Sequence, residues 1–199
     1  IHQGHRTVLG ALSRLAAERD LAPGVVTFDQ HPASVLRPEN APLLLTDHEQ
    51  RIDLFTEIGI DYLYLLQFNE QRAETSDRDF VADVLVDRMN AKLIVVGSNF
   101  HFGKARSGSV DSLRDFGDEM GFEVIGMDLF AEDDAVEPVS STVIRRALAG
   151  GDIAAANAML GRAYEVRGQV IQGDQRGRTI GFPTANVAFK PGQAWPAQG

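Results

Sequence analysis

The chain has no cysteine among its 199 residues. Disulfide scaffolds and thiolate-bound zinc or iron–sulfur centres are thereby excluded. It has no apolar run near the roughly 18 residues of a membrane span, and no signal-peptide pattern opens it. Basic residues are scarce: 19 Lys and Arg face 28 Asp and Glu, for a net charge of −9. The deficit lies in residues 1–161, with 14 basic against 26 acidic side chains, whereas residues 162–199 carry five against two. Neutralising a nucleic-acid backbone takes a basic stripe, so an acidic bulk excludes a nucleic-acid groove. An anionic ligand must then be held by a few placed groups. Zinc-protease, nucleophile-elbow and Walker-type spacings are also missing. What remains is the composition of a globular protein, 44% hydrophobic and 24% charged, and the expected compartment is the cytoplasm.

Hydrophobic periodicity predicts alternating helices and strands. Residues 6–19 place Val8, Leu9, Leu12, Leu15 and Ala16 at helical spacing. Strands are expected at 25–28, 62–68, 93–96 and 122–129. Helices are expected at 46–58 (with Thr46 and Glu49 as a capping box), from the Ser76 cap to Met89, at 109–120, at 142–148 and at 152–160. Strands apolar on both faces and alternating with helices imply a doubly wound parallel sheet, Rossmann-like, with ligand sites at the carboxyl ends of the strands. The loops after Phe28 and Val96 and the turn before Thr142 are expected to converge there. After Gly161 the period changes to that of an antiparallel strand at 164–171, followed by a Gly/Arg-rich turn at 173–178. This marks a boundary, with domains expected at 1–161 and 162–199. Ile1 in place of an initiator Met and a loop-like ending at 193–199 read as a piece of a longer protein. The 38 residues of the second domain are too few for a barrel of their own.

Four constellations carry chemistry. His2 and His5, in H-Q-G-H, share one face of a first helical turn. Gly4 between them keeps that face clear, and a helix N-terminus attracts anions. Surface or capping histidines are the plainer account of so short a motif. Ser140, Ser141 and Thr142 followed by Arg145 form a second helix mouth rich in donors. One serine is accounted for as an N-cap; three hydroxyls and a forked guanidinium suit a polyphosphate. Residues 97–104, G-S-N-F-H-F-G-K, follow an apolar strand, and Asn99 with Phe100 and Phe102 can hydrogen-bond and stack on a flat heteroaromatic ring. The plainer account is that the phenylalanines fold back onto the core. His31, before Pro32, reads as a turn former.

These segments, together with V-V-T-F-D-Q-H-P, L-G-R-A-Y and G-R-T-I-G-F-P-T-A-N-V, stand in the order found in bifunctional bacterial riboflavin kinase/FMN adenylyltransferase, the FAD synthetase family, which the chain resembles along essentially its whole length. The resemblance implies a nucleotidyltransferase domain followed by the start of a small antiparallel β-barrel kinase domain. It implies transfer of an adenylyl group from ATP to FMN, with Mg²⁺ as the metal and riboflavin phosphorylation in the intact protein. On the matching positions, His2, His5 and Arg145 would be catalytic, with Gly4, Ser140, Ser141 and Thr142 binding the nucleotide. Asn99 and Phe102 would meet the flavin, and Thr184 and Asn186 would hold metal and nucleotide in the kinase domain. Partners are then small molecules, with no nucleic acid and no membrane.

Three departures are visible. The family's strand before H-x-G-H is absent and is expected in the middle of the sheet. The kinase's downstream catalytic Glu is absent, and Gln30 stands where the family often has Pro. A nucleotidyltransferase acting on another phosphate acceptor, or a flavin- or nucleotide-binding module without turnover, would carry many of the same residues.

Overall fold

The computed structural model describes residues 1–128, 139–173, 176–179, 181–189 and 191–197. They form two compact units, Ile1–Pro42 with His48–Ser140, and Leu43–Asp47 with Ser141–Gly199.

In the first unit, helix α1 (Gln3–Glu18) leads to strand β1 (Gly24–Phe28), a one-turn helix α2 (Ala33–Leu36) and a 3₁₀ turn (Pro38–Asn40). Helix α3 (His48–Ile58) and strand β2 (Tyr62–Leu66) follow. Short helices α4 (Glu70–Ala73) and α5 (Asp77–Phe80) come next, and α5 continues as a π-helical stretch, Val81–Arg88. Strand β3 (Leu93–Gly97), a turn at Lys104–Arg106, helix α6 (Val110–Met120) and strand β4 (Glu123–Met127) complete the unit. Leu129, expected to end the last of these strands, lies outside the described residues.

The side chains at helix starts explain several boundaries. The Ser76 hydroxyl accepts from the Asp79 N–H at 3.0 Å and Asn69 accepts from Arg72 at 2.8 Å. Ser109 and Ser112 exchange backbone-to-hydroxyl bonds at 3.2 and 2.8 Å. Each such cap satisfies a backbone donor that the helix itself leaves free. Helix α3 starts at His48, two residues later than the Thr46/Glu49 spacing predicts, and Thr46 is buried.

The four strands are parallel, as the apolar runs require, in two pairs. β1 lies beside β2 with Val26 opposite Tyr64, and β3 beside β4 with Val95 opposite Ile125. Leu9, Phe55 and Ile60 pack under β1 and β2. Val81, Ile94, Phe102, Leu113 and Phe122 pack around β3. A cavity of about 560 Å³ runs along β1 and β3 and is floored by Leu9 and Leu12 of α1.

The carboxyl ends of β1 and β2 are stitched together. The Asp29 carboxylate accepts from the backbone N–H groups of Gln30 and Phe68 at 2.8 and 2.9 Å. The Gln30 amide donates to the Phe68 carbonyl at 2.8 Å, and Arg51 donates to the Phe28 carbonyl at 2.8 Å. Gln30, the departure from the family pattern, thus serves as a clasp between two strand ends.

In the second unit, helices α7 (Ser141–Ala149) and α8 (Ile153–Leu160) pack together through Ile144, Leu148, Ala156 and Leu160, which are at most 1% exposed. Burying each of the larger three contributes on the order of 1.5–3 kcal/mol. Strand β5 (Gly168–Ile171), the single turn α9 (Arg176–Thr179) and strand β6 (Asn186–Phe189) follow, and β5 pairs antiparallel with β6. The strand is shorter than the alternation at 164–171 predicts. The reason is local: the Tyr164 N–H donates to the Asn157 side chain at 2.7 Å and its phenol to the Ala194 carbonyl at 2.7 Å, drawing this end out of the ladder.

Asp29→Ala leaves two backbone donors without their acceptor, and should lower unfolding stability by about 1–3 kcal/mol. A urea titration of the variant against the parent measures it; an unchanged midpoint would show that the stitch is dispensable.

Candidate functional site

Helix α1 begins at a histidine. His2 occupies the N-cap with extended backbone (φ −122°, ψ 177°), and its carbonyl accepts the first helical bond from Arg6 at 3.0 Å. One turn on, His5 Nδ1 faces the His2 backbone N–H at 3.5 Å. That contact makes Nδ1 the acceptor, so the neutral His5 ring carries its proton on Nε2 and presents a donor there. The two rings lie 3.9 Å apart between centroids at 39°.

His2 is only 8% exposed, and its Nδ1 is buried without a hydrogen-bond partner among the described residues. Buried polar atoms are normally paired, so this ring nitrogen carries a desolvation cost without a compensating bond. Desolvation, then the neighbouring His5, pushes the His2 pKa down to about 3. His5 is pushed down to about 4, chiefly by desolvation. His2 is buried, whereas His5 keeps much of its surface in solvent. The first turn of α1 contains no carboxylate to neutralise the helix dipole.

Gly4 has a specific task in this arrangement. A Cβ built on it would lie 3.3 Å from both Cε1 and Nδ1 of the His2 ring. The glycine lets that imidazole fold back over the helix, so it clears space for His2 itself.

At the carboxyl end of β3, Asn99 is exposed and its amide makes no hydrogen bond among the described residues. Three residues later Phe102 is 7% exposed and belongs to the apolar cluster around β3, stacked on Phe100 at 5.5 Å and tilted against Phe80 at 5.9 Å. Both Phe100 and Phe102 line the 560 Å³ cavity. The core-closing account therefore describes Phe102 as well as Phe100. His31 accepts the Ala33 N–H on Nδ1 at 3.1 Å, in keeping with a turn former.

In the second unit, Arg145 lies one turn into α7, whose first turn also lacks a carboxylate. Its Nε donates to the Leu43 carbonyl at 2.5 Å, which fixes the guanidinium plane while leaving both terminal nitrogens to other acceptors. Burial lowers its pKa and Tyr164 opposes the shift, although an arginine stays charged at any working pH. Ser140 and Ser141 are half-buried and Thr142 is exposed. Thr184 precedes β6 by two residues and Asn186 opens it; both are exposed, and the Asn186 amide crowds the α-carbon of Gly173.

The arrangement thus brings His2 and His5 into contact, while Asn99 and Phe102 share one loop but differ in burial. Asp29, Gly103 and Gly108 shape the strand ends and were not singled out by sequence; the Gly-x₄-Gly spacing around 103–108 was the available signal. Among the described residues no three His, Asp or Glu side chains gather as a metal site.

Parallel strands with polar groups gathered at their carboxyl ends, and an anion-ready helix mouth, define a nucleotidyltransferase-like α/β protein followed by a small antiparallel element. The model of the FAD synthetase family matches residues 1–143, and that of riboflavin kinase matches residues 160–199. The chain belongs to the FAD synthetase family. The bifunctional riboflavin kinase/FMN adenylyltransferase of Escherichia coli K12 is 35% identical over 199 residues, covering 100% of this chain and 63% of that protein. The protein of the same description from Bacillus subtilis is 36% identical over 200 residues, covering 100% and 62%. The chain thus spans somewhat less than two thirds of these relatives. A crystal structure from Streptococcus pneumoniae, described as a macrolide-efflux protein, superposes with a TM-score of 0.87 at 33% identity, covering 100% of this chain and 64% of that one. Among the described residues no helix is long and apolar enough to cross a membrane.

Both histidines bind protons more weakly folded than at the ordinary value of 6.5. Unfolding therefore takes up protons below about pH 6.5, and the stability linked to the pair is complete above that pH. It is lost as pH falls from 6.5 toward 4. Urea midpoints over pH 4–7 should drop more steeply in the parent than in the His2→Gln/His5→Gln variant; parallel curves would contradict the shifted values.

Proposed function

We propose that the protein of which this chain is part joins the adenylyl group of ATP to FMN, giving FAD and pyrophosphate, and that residues 162–199 belong to a module that phosphorylates riboflavin. Membership of the FAD synthetase family supplies the reaction class. The observation that carries the site assignment is the desolvated histidine pair, with a buried unpartnered nitrogen, at a helix mouth with no compensating carboxylate.

In this reading an FMN phosphate oxygen attacks the α-phosphorus in line. The bond to the bridging oxygen breaks and its electrons leave with pyrophosphate. Neutral His5 donates from Nε2 to a phosphate oxygen, and His2 offers its free nitrogen beside it. Neither histidine carries a positive charge at neutral pH before the nucleotide arrives, so the dipole and N–H groups of α1 provide the first attraction. Arg145, with Ser140, Ser141 and Thr142, is assigned to the departing phosphates. Because its Nε is already committed to Leu43, both functions need a guanidinium, and lysine cannot replace it. Asn99 and Phe102, in the loop at the carboxyl end of β3, are assigned to the flavin.

Mg²⁺ belongs to the same reading. The Thr184 hydroxyl and the Asn186 carbonyl oxygen are hard, neutral donors of the kind it takes, and the Asn186 amide fills the space a side chain at Gly173 would occupy. These two residues would hold the ion, with phosphate oxygens and water completing its shell. When bound it offsets phosphate charge. We further assign the cavity between β1 and β3 as the seat of one more parallel strand, since each of these strands has a single partner among the described residues. A cytoplasmic supply of ATP and flavin accords with all of this.

The full-length protein given ATP and FMN should release FAD and pyrophosphate, resolved by chromatography. Turnover with phosphopantetheine instead would identify a different acceptor, and tight FMN binding without pyrophosphate would identify a binding module. His5→Ala should lower kcat by about 10²–10³, the scale for one lost transition-state donor. A change below threefold would remove His5 from the mechanism.

A further inference from the structure

Residues 101–108 form a small hairpin whose position is fixed by two glycines. Phe102 and Gly108 pair antiparallel, with Phe102 N–H donating to the Gly108 carbonyl at 3.2 Å and Gly108 N–H to the Phe102 carbonyl at 2.9 Å. His101 Nδ1 is 3.0 Å from the same Gly108 carbonyl. The Phe102 ring lies directly over Gly108: a Cβ there would stand 2.7 Å from Cζ and 2.8 Å from both Cε atoms. No side chain fits beneath the ring.

The hairpin is also docked from outside. Gly103 has φ +72° and ψ 178°, a conformation open essentially to glycine alone. A Cβ at Gly103 would be 2.7 Å from both N and Cα of Asp77, which are backbone atoms and cannot give way. The next residue, Lys104, donates its N–H to the Thr75 carbonyl at 2.8 Å and pairs with Glu74 at 2.5 Å. Between the two glycines the turn holds Ala105 and Arg106 at φ 52° and 61°. Such left-handed backbone in residues with a Cβ persists only where the surroundings over-determine it, as the pairing and the docking do here.

The hairpin borders a cavity of about 350 Å³ at the carboxyl ends of β3 and β4, which Phe100 and His101 line. Asn99 is caught between two fixed points: Ser98 N–H donates to the Met127 carbonyl at 2.7 Å, and Phe100 N–H turns back to the Gly97 carbonyl at 2.9 Å. Its backbone is held while its amide is left unengaged among the described residues.

We infer that Gly103 and Gly108 are positioning residues for the flavin acceptor: Gly103 by docking the hairpin onto residues 75–77 and Gly108 by seating the Phe102 ring, they fix Asn99 and the Phe100–His101 wall before ligand binds. This rests on the adenylyl-transfer reading. The glycines touch no substrate and act through the hairpin, so their loss should weaken FMN while sparing ATP, whose assigned residues lie on other elements.

The test uses the full-length protein with Gly103→Ala, Gly108→Ala and, as control, Gly121→Ala. Gly121 closes α6 at φ +84° with nothing within 4 Å of its Cβ position, so alanine there strains the backbone without disturbing the hairpin. KM for FMN and ATP is measured, together with the FMN dissociation constant from flavin fluorescence. Gly103→Ala and Gly108→Ala should raise the FMN KM and Kd tenfold or more with the ATP KM within twofold, and Gly121→Ala should leave all three within twofold while lowering Tm. Should the glycine variants fail to fold, Lys104→Pro at an exposed position removes the bond to Thr75, and it should give the same split. Unchanged FMN constants, or equal rises for ATP and FMN, overturn the inference. A parent protein that makes no FAD overturns the adenylyl-transfer reading itself.

Discussion

In the proposed reading, the entry to helix α1 is where this acidic chain receives an anion. With a net charge of −9, the overall field repels phosphate, so attraction has to be short-ranged. In that reading it comes from N–H groups at a helix start with no carboxylate in the first turn, and from two imidazoles tilted at 39° with centroids 3.9 Å apart. Burial keeps the His2 ring neutral, and the more exposed His5 ring is also held below its ordinary range. A neutral imidazole donates on one nitrogen and accepts on the other, and the 3.5 Å contact from the His2 backbone sets which is which in His5. The buried His2 nitrogen without a partner has a cost in the free protein that a bound phosphate can relieve.

Elsewhere in the first unit the strand ends are fixed by contacts of their own. The Asp29–Gln30–Phe68 stitch closes the ends of β1 and β2, and the 101–108 hairpin is pinned after β3. A parallel sheet leaves its strand ends open at one edge, where loops must be held by side chains and close backbone contacts rather than by ladder bonds. Here those contacts use a carboxylate, a glutamine and two glycines. In α7 the same economy recurs: one nitrogen of Arg145 is spent on the Leu43 carbonyl, orienting the two that remain.

Local signals were legible where a residue acts on its own neighbours. Ser76 caps its helix as expected, helices begin at Ser109 and Asp152 where the pattern places them, and the apolar runs become parallel strands within a residue or two. Features that depend on contact through space were not. The alternation at 164–167 reads as strand, but partners at Asn157 and Ala194 take that segment elsewhere. Phe102 reads as a stacking surface, yet the cluster with Ile94, Leu113 and Phe122 buries it. Nothing in G-K-A-R-S-G says that one glycine will meet Asp77 and the other the Phe102 ring. Of the histidine pair, spacing discloses the shared face; the depth of His2 and the reason for Gly4 emerge only once the helix is packed.

The central claim is that His2 and His5 stand neutral at the mouth of α1 and receive phosphate there. Nitrogen NMR of the two imidazoles in the full-length protein, at pH 6 and titrated with ATP, tests it most directly. The account requires both rings to be neutral before ligand, with the His5 proton on Nε2, and both to shift as nucleotide is added. Rings that are substantially protonated at pH 6, or resonances that ignore saturating ATP, would contradict it.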